Sequence, residues 1–532
     1  MQKIITFIIF IMLFQQIKAQ NEFITIWKPS NASTTLNSGI PYMSTHNQIW
    51  FPIRGTNFTI NWEEVGFPLH TGTLTAVNST SHILIDFGTS HSPNPANTTY
   101  RVKVSNGSGN VTMIRFQDNL LFPGSTGIAG DNQKIIDVEQ WGNINWQSME
   151  SAFSSCSKLN ISATDIPNFT NVSDMSNMFV GCSSLIGNSS INNWDISRVT
   201  NLSATFSGCN NFNQPIGNWN TGNVKHMGTL FFMAKNFNQD IGNWDTSKVE
   251  SMAAMFNHAQ KFNQPIGNWD LSSNLDLDFT FSNALAFNQP LANWNTSNVL
   301  EMSNMFGNAK SFNQDISSWD TSNVIVMGHM FGNAIAFNQN IGNWDTSNVI
   351  SFQSTFNGAT AFNQNLGNWN LSSIFNAENM FLNSGMNCQN YDSTLYGWSN
   401  NPSTPSSIIF GSVSPMVYSH PAAVIARNNL INNKNWSIYG DSYNGECNAS
   451  LSTSENSLAL EAKVYPNPAE NFIYLKNIKN GINFTITDSS GRIVLKDSLS
   501  KDYINIHTFA PGNYILQIVT KEKIQSFKFI KK

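Results

Sequence analysis

The side chains of this chain best able to do chemistry are few and scattered. Two carboxylate pairs stand close in sequence, Glu63-Glu64 and Asp276 with Asp278. Hydrolysis by paired acids needs them held about 5 to 10 Å apart in a cleft. Nothing around either pair builds one, so both read as solvated turns or caps. His46, His70, His82 and His91 lie apart without helical spacing. A metal site needs clustered His, Cys or carboxylate ligands, so these read as loop or surface side chains. Asp86-Phe87-Gly88 matches a kinase tripeptide, but no Gly-rich phosphate loop, Gly-x-Ser-x-Gly elbow or Cys/His dyad accompanies it. No two of the five cysteines have zinc or redox spacing. The expectation is a protein that is not an enzyme, with no catalytic, cofactor-binding or metal residues and no cofactor.

Composition points the same way. Of 532 residues, 11% are charged and 40% hydrophobic, against about 25% charged in ordinary globular chains. The chain has enough apolar surface to fold, and Asn, Ser, Thr and Gly take the turn and cap positions. Twenty-eight basic against 33 acidic residues give a net charge of −5. Nothing here favours phosphate backbones, so no nucleic-acid partner is expected. Lys3, the apolar run from Ile4 to Phe14 and a polar stretch ending Lys18-Ala19-Gln20 follow the pattern of a secretory signal peptide, placed at 1–20. That run falls short of the roughly 20 apolar residues of a membrane helix. No later segment qualifies either, and no transmembrane span is expected.

The dominant feature is a repeat. Trp194, Trp219, Trp244, Trp269, Trp294, Trp319, Trp344 and Trp369 follow one another at steps of 25 residues. Phe212, Phe237, Phe262, Phe287, Phe312, Phe337 and Phe362 keep the same step, each followed by Asn-Gln. Such a period marks units that bury a core only by stacking. In the unit from Phe237, the residues Phe237, Gln239 and Ile241 alternate as a short strand would. Asp245-Thr246-Ser247 offers capping oxygens, and Val249, Met252, Phe256 and Ala259 fit one face of a short helix or 3₁₀ segment. The expected fold class is an α+β repeat solenoid, leucine-rich-repeat-like, with a strand and a short helix per rung and the tryptophans as a structural ladder. An N-terminal β-sandwich and a small C-terminal all-β sandwich should flank it.

Three recurring positions carry alternatives. Asn213 and its equivalents at each Phe-Asn-Gln read as outward polar side chains, an amide ladder being the other reading. The residue after each Trp is Asp195, Asn220, Asp245, Asp270, Asn295, Asp320, Asp345 or Asn370; it reads as a cap, with a Ca²⁺ row as the sharper alternative. Cys156, Cys182 and Cys209 stand where later units have Ala. They read as stacked core thiols, although a disulfide between neighbouring rungs fits the allowed Cα distances.

The unit FNQxIxxWDTSxVxxMxxMFxxA over 141–385, about ten units, resembles the BspA-type leucine-rich-repeat surface proteins. That resemblance implies an extracellular bacterial protein, some relatives acting as adhesins. The segment 386–447, with Asn387-Cys388 and Tyr396-Gly397-Trp398, resembles the cap that follows such arrays, and implies a disulfide between Cys388 and Cys447. After a Ser-rich linker at 448–460, the domain at 461–532 resembles the sorting domain of type IX secretion substrates. The residues carrying this are Pro466, Asn467 and Pro468, then Gly491 and Gly512 at two turns. Residues 21–140 are similar to the PKD-like domain, although Trp62-Glu63-Glu64-Val65-Gly66 stands where that family has Trp-Gly-Asp-Gly.

Together these readings give a secreted or surface-displayed, adhesin-like, non-catalytic protein at the extracellular or outer-membrane surface after signal-peptide cleavage. Its expected partners are the type IX secretion machinery and a protein or glycan ligand on a host, microbial or matrix surface. A structural scaffold or spacer without a ligand is the alternative, and an enzyme acting on extracellular polysaccharide or peptide the third reading.

Overall fold

The computed structural model describes residues 21–32, 42–117, 130–445, 463–476, 483–488, 492–519 and 524–532. The signal peptide at 1–20, the linker at 448–460, Cys447 and Gly491 lie outside these described residues. The chain divides into two compact units, Met1–Ser452 and Thr453–Lys532, each with its own hydrophobic core.

The first unit opens with nine strands, β1 (Phe23–Trp27) to β9 (Asn160–Ile161). Seven lie in one sheet with the path β4-β3-β6-β1-β8-β9, and β7 (Asn110–Ile114) pairs with β3. The long hairpin of β3 (Ile53–Glu64) and β4 (Phe67–Ser79) leaves β4 as its outer edge. β6 (Tyr100–Ser105) shows the period of a half-buried strand, with Tyr100, Val102 and Val104 inside. These strands do not close the expected separate sandwich. β8 (Ile135–Gln140) pairs in parallel with β9 of the first repeats, and Phe23 packs on Trp141 and Trp146. The inner side chains of sheet and repeats thereby form one continuous core.

The expected α+β repeat solenoid is overturned as well. Among the described residues there are only two α-helices, α1 (Cys388–Asn400) and α2 (Pro421–Asn432), both beyond the repeats, and the strands fall into separate sheets. From Trp194 to Met386 the backbone forms neither helix nor strand. It runs through turns joined by single-residue parallel bridges, Asn201 to His226 to Ser251 to Asp276 to Glu301 and onward.

The hydrogen bonds show why the helix does not form. A helix would spend each N–H on a carbonyl four residues back. Here Met252, Ala254, Phe256 and His258 donate instead to Asp276, Asp278, Thr280 and Ser282 of the next unit. Met255, Asn257 and Ala259 donate three residues back, closing consecutive turns. Val249, Met252, Phe256 and Ala259 are all buried, because such turns return to the interior as often as a helix does. The arrangement needs left-handed backbone at Ala254 (φ 53°) and His258 (φ 61°), which costs an L-residue roughly 1–2 kcal/mol. Other units place Gly181, Gly208, Asn283, Asn308, Asn333 and Gly358 at the second of these positions, the residue types that accept it most easily.

Beyond the repeats, residues 387–445, with the short strands β10 (Ile409–Ser412), β11 (Val417–Tyr418), β12 (Ser437–Tyr439) and β13 (Ser442–Tyr443), cover the last unit. Asn387 caps α1 by accepting the Asn390 N–H, and Trp398 of α1 stacks on Phe381 with ring centres 6.0 Å apart. In the second unit, β14 (Lys463–Tyr465), β15 (Phe472–Lys476) and β18 (Tyr503–Asn505) form one antiparallel sheet. β16 (Asn483–Asp488), β17 (Ile493–Ser498), β19 (Gly512–Val519) and β20 (Ile524–Lys531) form the other.

Candidate functional site

The repeat buries its aromatic positions and turns the variable ones outward. From Trp194 to Trp344 the eight-membered tryptophan column is 3–4% exposed, and Trp369 is fully buried. Consecutive indoles such as Trp219 and Trp244 lie 6.3 Å apart with an interplanar angle of 2°. Each Nε1–H from Trp219 onward donates to a carbonyl of the preceding unit, Trp219 to Ile191 at 2.8 Å and Trp294 to Ile266 at 3.0 Å. Trp194 differs: its buried Nε1 has no partner among the described residues. Two phenylalanine columns run beside the indoles, with Phe256 and Phe262 3.9 Å apart within one unit.

The polar rows are spent on the architecture. The Asn213 series forms a ladder, against the outward reading favoured from sequence. Asn213 Oδ1 accepts the Asn238 N–H at 2.8 Å, Asn238 that of Asn263, and Asn263 that of Asn288. The residue after each Trp accepts the N–H two residues on, as Asp245 does from Ser247 at 3.0 Å and Asn295 from Ser297 at 3.2 Å. These Asx turns hold Asp195, Asp245 and Asp320 below the ordinary carboxylate range through the serine donors that face them. Among the described residues no group of three or more His, Cys, Asp or Glu could hold a metal ion.

The scattered polar residues of the N-terminal sheet also serve structure. Glu63 accepts from Arg101 at 2.6 Å and Lys103 at 2.9 Å, and Arg101 also binds Glu139. Glu64, buried, accepts from Ser90 at 2.8 Å, from the His91 and Ser92 N–H groups at 2.9 Å, and contacts His70 Nδ1. His70 stacks on His91 at 4.3 Å. Sequence spacing gave no hint that these two histidines meet, since the hairpin and the 87–98 loop bring them together. The carboxylate pins that loop to the hairpin. Cys156, Cys182 and Cys209 are free, buried thiols, pushed up by burial. Cys182 and Cys209 donate to the Phe153 and Phe179 carbonyls of earlier units.

Cys388 is disulfide-bonded. In the second unit, Asn467 lies between Pro466 and Pro468, accepts the Ile530 N–H at 2.9 Å and donates to the Lys528 carbonyl at 3.1 Å. It thereby fastens the start of the domain to its last strand. Gly512 opens β19 opposite Lys531.

What faces solvent differs from unit to unit. One outward column passes through Thr200, Lys225, Glu250, Leu275, Leu300, Ile325, Ile350 and Phe375, each N–H donating to the carbonyl of the residue before it in the column. Its first members are polar and its last five apolar. Leu275 and Phe375 remain 46% and 62% exposed.

A turn-built stack of repeats, followed in sequence by a separate compact β-unit, is the class that this geometry defines. The comparisons agree with both parts. A family described as Mycoplasma protein of unknown function, DUF285, matches the repeats over residues 147–245, 173–294, 236–340 and 276–398. The secretion system C-terminal sorting domain matches residues 463–532. The chain therefore carries DUF285 repeats and a sorting domain that marks it for type IX secretion to the cell surface or extracellular space. No curated protein matches it significantly. A solved structure of PorZ, a bacterial surface component of the type-IX secretion system of Porphyromonas gingivalis, shares 19% identity, with a TM-score of 0.13. That similarity covers 15% of this chain and 12% of the other, far less than two thirds of its length. Among the described residues no helix is long and apolar enough to cross a membrane.

Proposed function

We propose that the chain is a non-catalytic, adhesin-like binding protein whose repeat face engages another macromolecule after export. One observation carries this reading. The inward positions of each unit are nearly invariant in type and buried, whereas the outward column changes from polar to apolar along the stack. A rigid core with a varied outer face suits recognition, since few ordering costs fall on binding. Kinship with the BspA-type surface proteins belongs to this same proposal and rests on the unit FNQxIxxWDTSxVxxMxxMF. The test is retention of the mature protein on arrays of matrix proteins and glycans. Saturable capture by at least one surface is expected, and failure on every surface overturns the reading.

A spacer role is the second reading, favoured by the regularity of the middle units. Excising whole middle units separates the two. A receptor loses its ligand, whereas a spacer keeps its function at shorter reach.

A further inference from the structure

The apolar half of the outward column has a geometry and a setting that specify an occupant. Leu275, Leu300, Ile325, Ile350 and Phe375 follow one another in register. At parallel-bridge spacing they span about 19 Å, one side chain per about 4.8 Å. The three central members are half-buried because each shields its neighbours, and the two ends stand open to solvent. The fold does not require this composition, since Thr200, Lys225 and Glu250 occupy the same column with the same backbone bonds. A contiguous exposed apolar strip is therefore a feature of the surface and not of the core.

The charge along this stretch of the chain is one-sided, and Asp276, Asp278 and Glu301 lie within three residues of Leu275 or Leu300. Between residues 270 and 380 there are eight carboxylates and one lysine, Lys310. Asp276 and Glu301 directly follow Leu275 and Leu300 and bridge to one another. Burial, then Asp276 and Glu301, push Asp278 up to about 6, and burial and Asp276 likewise raise Glu301. No cationic side chain enters either balance. A partner bringing positive charge here relieves repulsion, and an anionic surface adds to it.

We propose that this ladder is the docking strip for a basic amphipathic helix of a partner protein, with lysine or arginine beside its apolar face meeting Asp276, Asp278 and Glu301. The match is one of spacing. The apolar stripe of a helix presents a side chain every 3.5 residues, or about 5.3 Å, close to the rung step. About 13 helical residues cover the five rungs at 1.5 Å each. This rests on the reading of the repeats as a binding face and adds the class of partner.

The experiment measures binding of three peptides to the mature full-length protein by calorimetry: a Leu/Lys amphipathic helix, a scrambled peptide of the same composition, and a Leu/Glu counterpart. The amphipathic Lys peptide is expected to bind at least about tenfold tighter than either control. Leu300→Thr/Ile325→Thr/Ile350→Thr should erase that advantage while leaving the melting temperature unchanged, because Thr200 already occupies this column. Asp276→Asn/Glu301→Gln should weaken binding and flatten its salt dependence. Equal binding of the scrambled or Leu/Glu peptide, or an unchanged triple variant, overturns the proposal. So does a dimer in sedimentation that the triple variant loses, or tighter capture by anionic vesicles than by the peptide. Array ligands that bind wild type and triple variant alike would sink the ladder and spare the general binding reading. Peptide binding as expected with empty arrays would do the reverse.

Discussion

Replacing Trp294 by Phe keeps an aromatic ring in the column but deletes one of two donors to the Ile266 carbonyl, the Nε1–H at 3.0 Å, and leaves the Trp269 N–H at 3.1 Å. Losing that one hydrogen bond should cost about 0.5–1.5 kcal/mol in chemical unfolding. Trp194→Phe provides the contrast, since its buried Nε1 has no partner among the described residues. It should be near neutral, and equal losses at both sites would contradict the hydrogen-bond account. A second residue-scale prediction concerns pH. Asp278 is pushed up to about 6 from an ordinary 3.8, first by burial and then by Asp276 and Glu301. The folded form thus holds its proton more tightly than the unfolded form. Stability linked to this group is present below about pH 4 and lost as pH rises through about 6. Asp278→Asn keeps an acceptor for the Ser303 N–H, now 2.6 Å from the carboxylate. It should raise the melting temperature by about 1–3 °C at pH 7 and by nothing near pH 4.

At the scale of the repeat unit, the bonds between neighbours dictate what can be removed. Asn, Trp and turn N–H groups all pair at a constant offset, so excising residues 288–312 joins Phe287 to Asn313 with every ladder intact. Circular dichroism should keep its shape per residue, with cooperative melting at a modestly lower temperature, because stability in such stacks sums over units and their interfaces. Removing half a unit, 288–299, places the wrong side chains in each column, and the product should fail to melt cooperatively. A folded half-unit deletion would mean that the columns are not what holds the stack. Most of this element was legible in the sequence, including which residues face inward. The turns were not, because a run of three-residue turns and a helix share nearly the same inward period. The signal that separates them is Gly or Asn just before the small residue, as at Gly208-Cys209, Asn308-Ala309 and Gly358-Ala359.

For the whole molecule, two separate cores imply two independent stabilities. Deleting residues 463–532 should leave the main melting transition of the first unit where it was. The same deletion should abolish surface delivery, read by protease shaving of intact cells, since the sorting domain is lost. A main transition lowered by many degrees would show that the units support one another. The N-terminal strands, by contrast, share a core with the repeats, so destabilising the sheet should lower the transition of the repeats.

The sequence by itself determined the period and the inward columns, and its alternation near 471–475, 483–487, 492–496 and 513–519 predicts the strands found at Phe472–Lys476, Asn483–Asp488, Ile493–Ser498 and Gly512–Val519. Each of these is a one-dimensional pattern that local chemistry imposes on the chain. Tertiary structure decided that the second half of each unit turns instead of coiling, since half its N–H groups find better partners in the next unit. It also decided that the N-terminal sheet merges with the repeats through β8 and β9, and that Glu64, His70 and His91 meet. The outward apolar column likewise emerges only when residues 25 apart become neighbours, because a contact between units has no signature inside any one of them.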